Sequence, residues 1–164
     1  MRKSLFILTL LTIFSCETPV KKEKKKEGLK KETPKRTVVE NEVDKTLVKL
    51  KRNPCSGDCP VFEVTITKDH ILMYNGIQYT NSTGIHTVKL SSKQYTKLLA
   101  ILTASNFSEL KSEYADSGTK DFAETVITYK SKNVMVRLWK DAPENLTDIY
   151  VFIEDILYEK KYLE

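Results

Sequence analysis

From Thr46 onward the chain alternates apolar and polar positions, and the period changes from two to about 3.6 and back. In 46–52, Val48 and Leu50 alternate with Lys49 and Lys51, which predicts a strand. In 61–67, Phe62, Val64 and Ile66 share one face and Glu63, Thr65 and Thr67 the other. Lys68-Asp69 reads as a two-residue turn into a strand at 70–74. Asn75-Gly76 predicts the next turn, because both residues tolerate φ > 0. A return strand at 77–80, a break at 81–84 and an extended segment at 85–90 follow.

Ser91 with Gln94 forms a capping box, and Tyr95, Leu98, Leu99 and Leu102 recur at helical spacing, so 92–104 predicts an amphipathic helix. The stretch 105–121 is polar, with Phe107 and Leu110 as candidate anchors. A second hairpin is predicted from 123–130 and 133–139, turning at Ser131-Lys132. The last helix is expected to open with Asp141 as cap, Pro143 in the first turn and Glu144 reaching back. Its apolar stripe is Leu146, Ile149, Tyr150, Ile153, Ile156 and Leu157. The order β-β-β-β-α-β-β-α predicts an α+β fold: an antiparallel sheet of about five to six strands in hairpins, with two helices on one face.

The N-terminus follows a different pattern. Arg2 and Lys3 precede an apolar run from Leu5 to Phe14, then Ser15 and Cys16. The run is half the ~20 residues a spanning helix needs, and the arrangement is that of a secretory signal peptide. Ile13-Phe14-Ser15-Cys16 resembles the lipobox of bacterial lipoproteins, with Phe14 a departure from the usual small or aliphatic residue. The resemblance implies cleavage before Cys16, lipidation of Cys16 and a membrane contact through that lipid. Glu17 stands where an Asp would signal inner-membrane retention, so the resemblance implies a cell-envelope location at the outer membrane.

Charge divides along the same boundary. The whole chain has 27 Lys+Arg against 22 Asp+Glu, a net of +5. Residues 16–36 carry nine bases and four acids, whereas 37–164 nets −2. The excess positive charge therefore belongs to the leader and the segment after it, and nucleic-acid binding by the domain is not expected. With Val20 and Leu29 as its only aliphatic residues, 17–36 cannot offset the entropy of ordering and is expected to act as a solvated tether. The expected organisation is a signal peptide at 1–15, a lipidated Cys and tether at 16–44, and one domain at 45–164.

Cys55-Ser56-Gly57-Asp58-Cys59 holds two cysteines in a loop before a strand, bracketed by Pro54 and Pro60. With Cys16 consumed by lipid, an even number remains, and an exported chain meets an oxidising compartment; a Cys55–Cys59 disulfide is expected. Two other chemistries are open to the pair. One is thiol redox, although the spacing is C-x-x-x-C and Asp58 disfavours a thiolate at Cys59. The other is metal binding by Cys55, Cys59, His70 and His86 as a Cys₂His₂ set.

Cys55, Gly57, Cys59, Pro60 and Phe62, followed by an alternating strand and Tyr74-Asn75-Gly76, resemble an uncharacterised bacterial domain of unknown function that recurs in outer-membrane-type lipoproteins. Asp121 and Pro143 also match, and Lys68-Asp69-His70 departs from its usual Asp-Gly turn. The resemblance spans roughly 45–164 and implies no known activity.

No nucleophile elbow, metalloprotease, P-loop or dinucleotide fingerprint occurs, and no cofactor is expected. Ser117-Gly118-Thr119-Lys120 reads as a polar loop, Glu154-Asp155 as a solvated carboxylate pair, and Tyr114, Trp139, Tyr158 and Tyr162 as exposed aromatics or closures of the core edge. The expected role is a membrane-anchored binding or interaction module with an envelope-protein partner. The alternatives are a thiol redox or metal-handling protein using Cys55 and Cys59, and a hydrolase or inhibitor without a readable signature.

Overall fold

The structure, a computed structural model, describes residues 45–164. The expectations for the leader, for Cys16 and for the tether lie outside the described residues. Seven strands form one sheet in the order β4-β3-β2-β1-β6-β7-β5. They are β1 (Thr46–Arg52), β2 (Val61–Thr67), β3 (Ile71–Gln78), β4 (Gly84–Lys89), β5 (Glu113–Tyr114), β6 (Thr125–Tyr129) and β7 (Lys132–Val136). Among the described residues the α-helices are α1 (Ser92–Ala104) and α2 (Glu144–Glu159). Neighbouring strands are antiparallel except β5, which pairs parallel with β7.

The period-two pattern decides which face is covered. Val48, Leu50, Phe62, Val64, Ile66, Leu72, Tyr74, Ile127, Val134 and Val136 are buried on one face, where they meet Leu98 and Leu102 of α1 and the α2 stripe. Lys49, Lys51, Glu63, Thr65 and Met73 lie on the other face, which stays open to solvent. All six residues expected in the α2 stripe are buried, and Phe152 joins them beneath Lys97. In α1 the capping box forms, with the Gln94 N–H donating to Ser91 Oγ at 3.2 Å and the Ser91 N–H to Gln94 Oε1 at 3.0 Å. Leu99 turns outward instead of joining the stripe.

The sheet exceeds the expected five to six strands, and several boundaries differ. Asn75-Gly76 is not a turn. Both residues continue β3, and the chain reverses over 79–83. Gly76 is required there for space: a Cβ would lie 2.0 Å from the Ser82 carbonyl oxygen and 2.8 Å from both Thr80 Oγ1 and the Tyr74 hydroxyl. The tight turn uses Tyr79 (φ 53°) instead. The β2–β3 connection has three residues, with the His70 N–H donating to the Thr67 carbonyl at 3.1 Å and His70 at φ 65°. Here the imidazole stacks on Tyr95 at 3.8 Å, tying the turn to α1. The β6–β7 turn is Lys130-Ser131, one residue earlier than expected. The short β5 sits inside the polar stretch, too brief to show a period.

Asp141 does not cap α2. It ends a 3-10 turn at Trp139–Asp141, and Pro143 precedes the first helical residue, its carbonyl accepting from Leu146 and Thr147. The far end closes with Lys161 at φ 57°, the Lys161 N–H donating to the Tyr158 carbonyl and the Tyr162 N–H to that of Leu157, both at 2.9 Å. The Tyr162 ring then stacks on Tyr74 at 4.8 Å.

Gly76→Ala should destabilise the domain by about 1–3 kcal/mol, as other forced overpacking does. Chemical denaturation measures this, and a loss below ~0.5 kcal/mol would mean that the 79–83 loop does not hold Ser82 against β3.

Candidate functional site

The cysteine loop joins β1 to β2 at the end of the sheet opposite Thr46. A disulfide links Cys55 and Cys59, with Cα atoms 5.8 Å apart. A ring this short removes about 2 kcal/mol of chain entropy from the unfolded state. Its larger effect is on loop shape, because the loop is also docked from outside. The Asn53 N–H donates to the Glu124 carbonyl and Asn53 Nδ2 to Glu124 Oε1, both at 2.8 Å. The Ser56 N–H donates to the Asp121 carbonyl at 3.2 Å, and Ser56 Oγ to Asp121 Oδ1 at 2.9 Å. The loop therefore rests along 121–124, the segment leading into β6. Arg137 Nη2 fixes Glu124 from the other side at 2.5 Å.

The segment before Asp121 is held by its own turn. Asp116 Oδ1 accepts from the Gly118 N–H at 2.8 Å, and Thr119 Oγ1 donates to the Asp116 carbonyl at 2.8 Å while accepting from the Asp116 N–H at 3.1 Å. Thr119 is buried and its hydroxyl fully engaged, so the Ser117-Gly118-Thr119-Lys120 loop is a structural turn. The turn leaves Phe122 half-exposed beside the cysteine loop.

Beneath the loop, a polar chain enters the core. Arg52, the last residue of β1, points to the helix face and donates from Nη1 to the Tyr150 hydroxyl. That hydroxyl donates to Glu154 Oε1 at 2.5 Å, and Arg52 lies 3.7 Å from the same carboxylate. Trp139 covers the Tyr150 ring at 4.3 Å. Burial pushes the Tyr150 hydroxyl far above its ordinary range, and its bond to Glu154 pushes it further, while Arg52 opposes the shift. Arg52 Nε and Thr125 Oγ1 are buried here with no hydrogen-bond partner.

The expected carboxylate pair thus splits. Glu154 belongs to this internal chain and only Asp155 is exposed. The Tyr150–Glu154 spacing of four on one helix was a readable signal; Arg52, 98 residues away, was not. Of the four aromatics read as exposed or as closures of the core edge, Tyr158 is exposed, and Tyr114, Trp139 and Tyr162 pack against the core edge. Ile77, Tyr79, Ile85, Phe122 and Val151 are further exposed large residues among those described that pattern reading missed.

The two histidines do not join the cysteines. His70 stacks on Tyr95 at the far end of the sheet. His86 packs on Tyr162 at 5.0 Å, with Nε2 3.0 Å from the Thr83 carbonyl oxygen. Among the described residues no group of three or more His, Cys, Asp or Glu could hold a metal ion.

Because Tyr150 keeps its proton in the folded state above its ordinary value of 10.0, its contribution is present below pH 10 and is lost as pH rises from there. Between pH 10 and 11 the wild type should lose about 1 kcal/mol more stability than Tyr150→Phe. Parallel curves from denaturation across that range would contradict the buried, proton-retaining hydroxyl.

None of the curated proteins matches the chain. A match to a family described only as a domain of unknown function, DUF6438, spans residues 46–157, from the first residue of β1 into the last turn of α2. That span covers most of the chain, and the protein belongs to this family.

Proposed function

We propose that the chain is a lipid-anchored cell-envelope protein, attached through Cys16, whose domain binds an envelope-protein partner without catalysis. The observation that carries the reading is the polarity of β1. The chain before residue 45 joins β1 at Thr46, and the disulfide loop leaves it at Arg52. Seven residues at about 3.3 Å each separate the two by roughly 20 Å. A domain tethered at Thr46 can therefore turn its shaped loop away from the bilayer. The exposed rim there is Ser56, Gly57 and Asp58 with Asp116, Lys120 and Phe122, which brings two carboxylates, one ammonium group and one aromatic ring to the surface. Half-exposed aromatics on a rigid frame are common anchors of protein interfaces. The segment 16–44 serves as the tether, with the signal peptide at 1–15.

The mass of the N-terminal peptide of the membrane-extracted protein tests the anchor. It should begin at Cys16 and carry a diacylglyceryl thioether with acyl chains. An unmodified Cys16, or a chain that begins elsewhere, would overturn the anchor.

One observation favours a second reading, thiol chemistry. The Gly57 N–H lies 3.2 Å from Cys55 Sγ and would stabilise a thiolate there once the disulfide opened. Alkylation of exported protein before any reductant separates the two. The binding reading predicts no free thiol at Cys55 or Cys59. Two thiols that alkylate at once would favour the redox reading.

A further inference from the structure

At the opposite end of the sheet from the cysteine loop lies a groove of about 560 Å³ lined by Thr46, Lys49, Lys68, Thr128, Lys130 and Ser131, with Leu47 and Tyr129 as its apolar walls. We propose that this groove is a docking surface for the phosphate groups of an anionic membrane, the one in which the Cys16 lipid is anchored; the inference rests on that anchoring.

Three observations meet here. The first is charge. Lys45, Lys68, Lys89, Lys130 and Lys132 lie at this end of the strands, and Lys49, midway along β1, lines the groove. The acids nearby are Asp69, 3.7 Å from Lys45, and Glu109 beside the Lys132 turn. The cysteine loop and the segment it docks on carry Asp58, Asp116 and Asp121 at the surface against Lys120. Over 45–164 sixteen bases and fifteen acids nearly balance, and five of the lysines sit on the side from which the N-terminal chain departs.

The second is backbone strain. Lys130 (φ 48°) and Ser131 (φ 66°) are the two central residues of the β6–β7 turn. A two-residue turn with both φ positive favours Asn-Gly. A Lys-Ser pair costs local energy in that conformation, and such strain concentrates where side chains serve a purpose. Here it places an ammonium group and a hydroxyl at the groove rim. Lys130 is further positioned by the Tyr129 ring, with Nζ 5.2 Å from its centroid.

The third is the division of labour among the polar groups around the groove. Thr128 Oγ1 donates to Asn133 Oδ1 at 2.7 Å. Lys132 is committed to the fold, donating from Nζ to the Ser108 carbonyl at 2.7 Å and also to that of Leu110. Lys49 and Lys130 are the exposed cations of the groove on which the inference stands. Lysine is a flexible point charge, suited to many phosphates in a fluid surface rather than to one fixed ligand. A bilayer beside Thr46 supplies such phosphates at high local density.

The test is a lysine acetylation footprint of the lipidated full chain. It is reconstituted in vesicles of equal phosphatidylglycerol and phosphatidylcholine, in vesicles of phosphatidylcholine alone, and in the latter with added inorganic phosphate. Lys120, at the cysteine-loop end, is the internal control. In anionic vesicles Lys49 and Lys130 should react about fivefold more slowly than in phosphatidylcholine, the factor set by ~1 kcal/mol per lysine at an anionic surface. Lys120 should not change. Lys89, at the same end of the sheet, should slow as well, and Lys49→Glu with Lys130→Glu should return it to its phosphatidylcholine rate. Equal rates in the two vesicles, with the protein still floating with them, would overturn the docking surface and leave the anchor intact. Failure to float would overturn the anchor itself. Equal protection by inorganic phosphate on phosphatidylcholine would assign the groove to a free anion and overturn the lipid surface.

Discussion

Everything in this domain is referred to the pairing of β1 on both sides. β2 takes one edge and β6 the other, so one strand of seven residues fixes the register of the two halves of the sheet. Period-two alternation then sends Val48 and Leu50 into the core and Lys49 and Lys51 out of it, and the partners opposite them inherit the same faces. A slip of one residue would exchange the two sets and bury the lysines. The helices need only lay their apolar stripes on the covered face.

The same strand separates two chemically different ends. At Arg52 it passes into a polar system: Arg52, Tyr150 and Glu154 inside, then Asn53, Glu124 and Arg137, then Ser56 and Asp121 at the surface. The charges are paired and partly shielded, so their loss would cost more than that of exposed ion pairs such as Lys51–Glu63. The disulfide is the outermost layer of that system. Its small ring shapes a loop that three hydrogen-bonded layers already hold in place. At Thr46 the strand passes into lysines and hydroxyls around an open groove. Of the two ends, the first is rigid and the second is electrostatic, which suits recognition at one and contact with a bilayer at the other.

Most of the architecture was legible because burial is one-sided. β1, β2 and α1 fall on the residues that their periods predicted, and the α2 stripe is buried throughout. The failures share a cause: tertiary contact outweighed a local signal. Asn75-Gly76 has strong turn chemistry, yet the Ser82 carbonyl needs the space above Gly76 and the turn moves to Tyr79. Glu154 reads as a solvated carboxylate until Arg52 and Tyr150 are brought to it from β1 and from the same helix. The cysteine pair was plain from spacing and composition, but its docking on 121–124 depends on contacts across some seventy residues. The lysine groove was invisible, because its members come from two separate strands and from the turns after β2 and β6.

The central proposal is one of orientation: the lysine groove of the tethered domain faces the bilayer, and the cysteine loop faces away from it. Paramagnetic broadening by a spin-labelled phosphatidylglycerol, read on the backbone amides of the lipidated protein in nanodiscs, tests it most directly. The account predicts strong broadening at Lys49, Lys130 and Ser131 and little at Ser56, Asp58 and Phe122. Equal broadening at both ends, or stronger broadening at the cysteine loop, would contradict it.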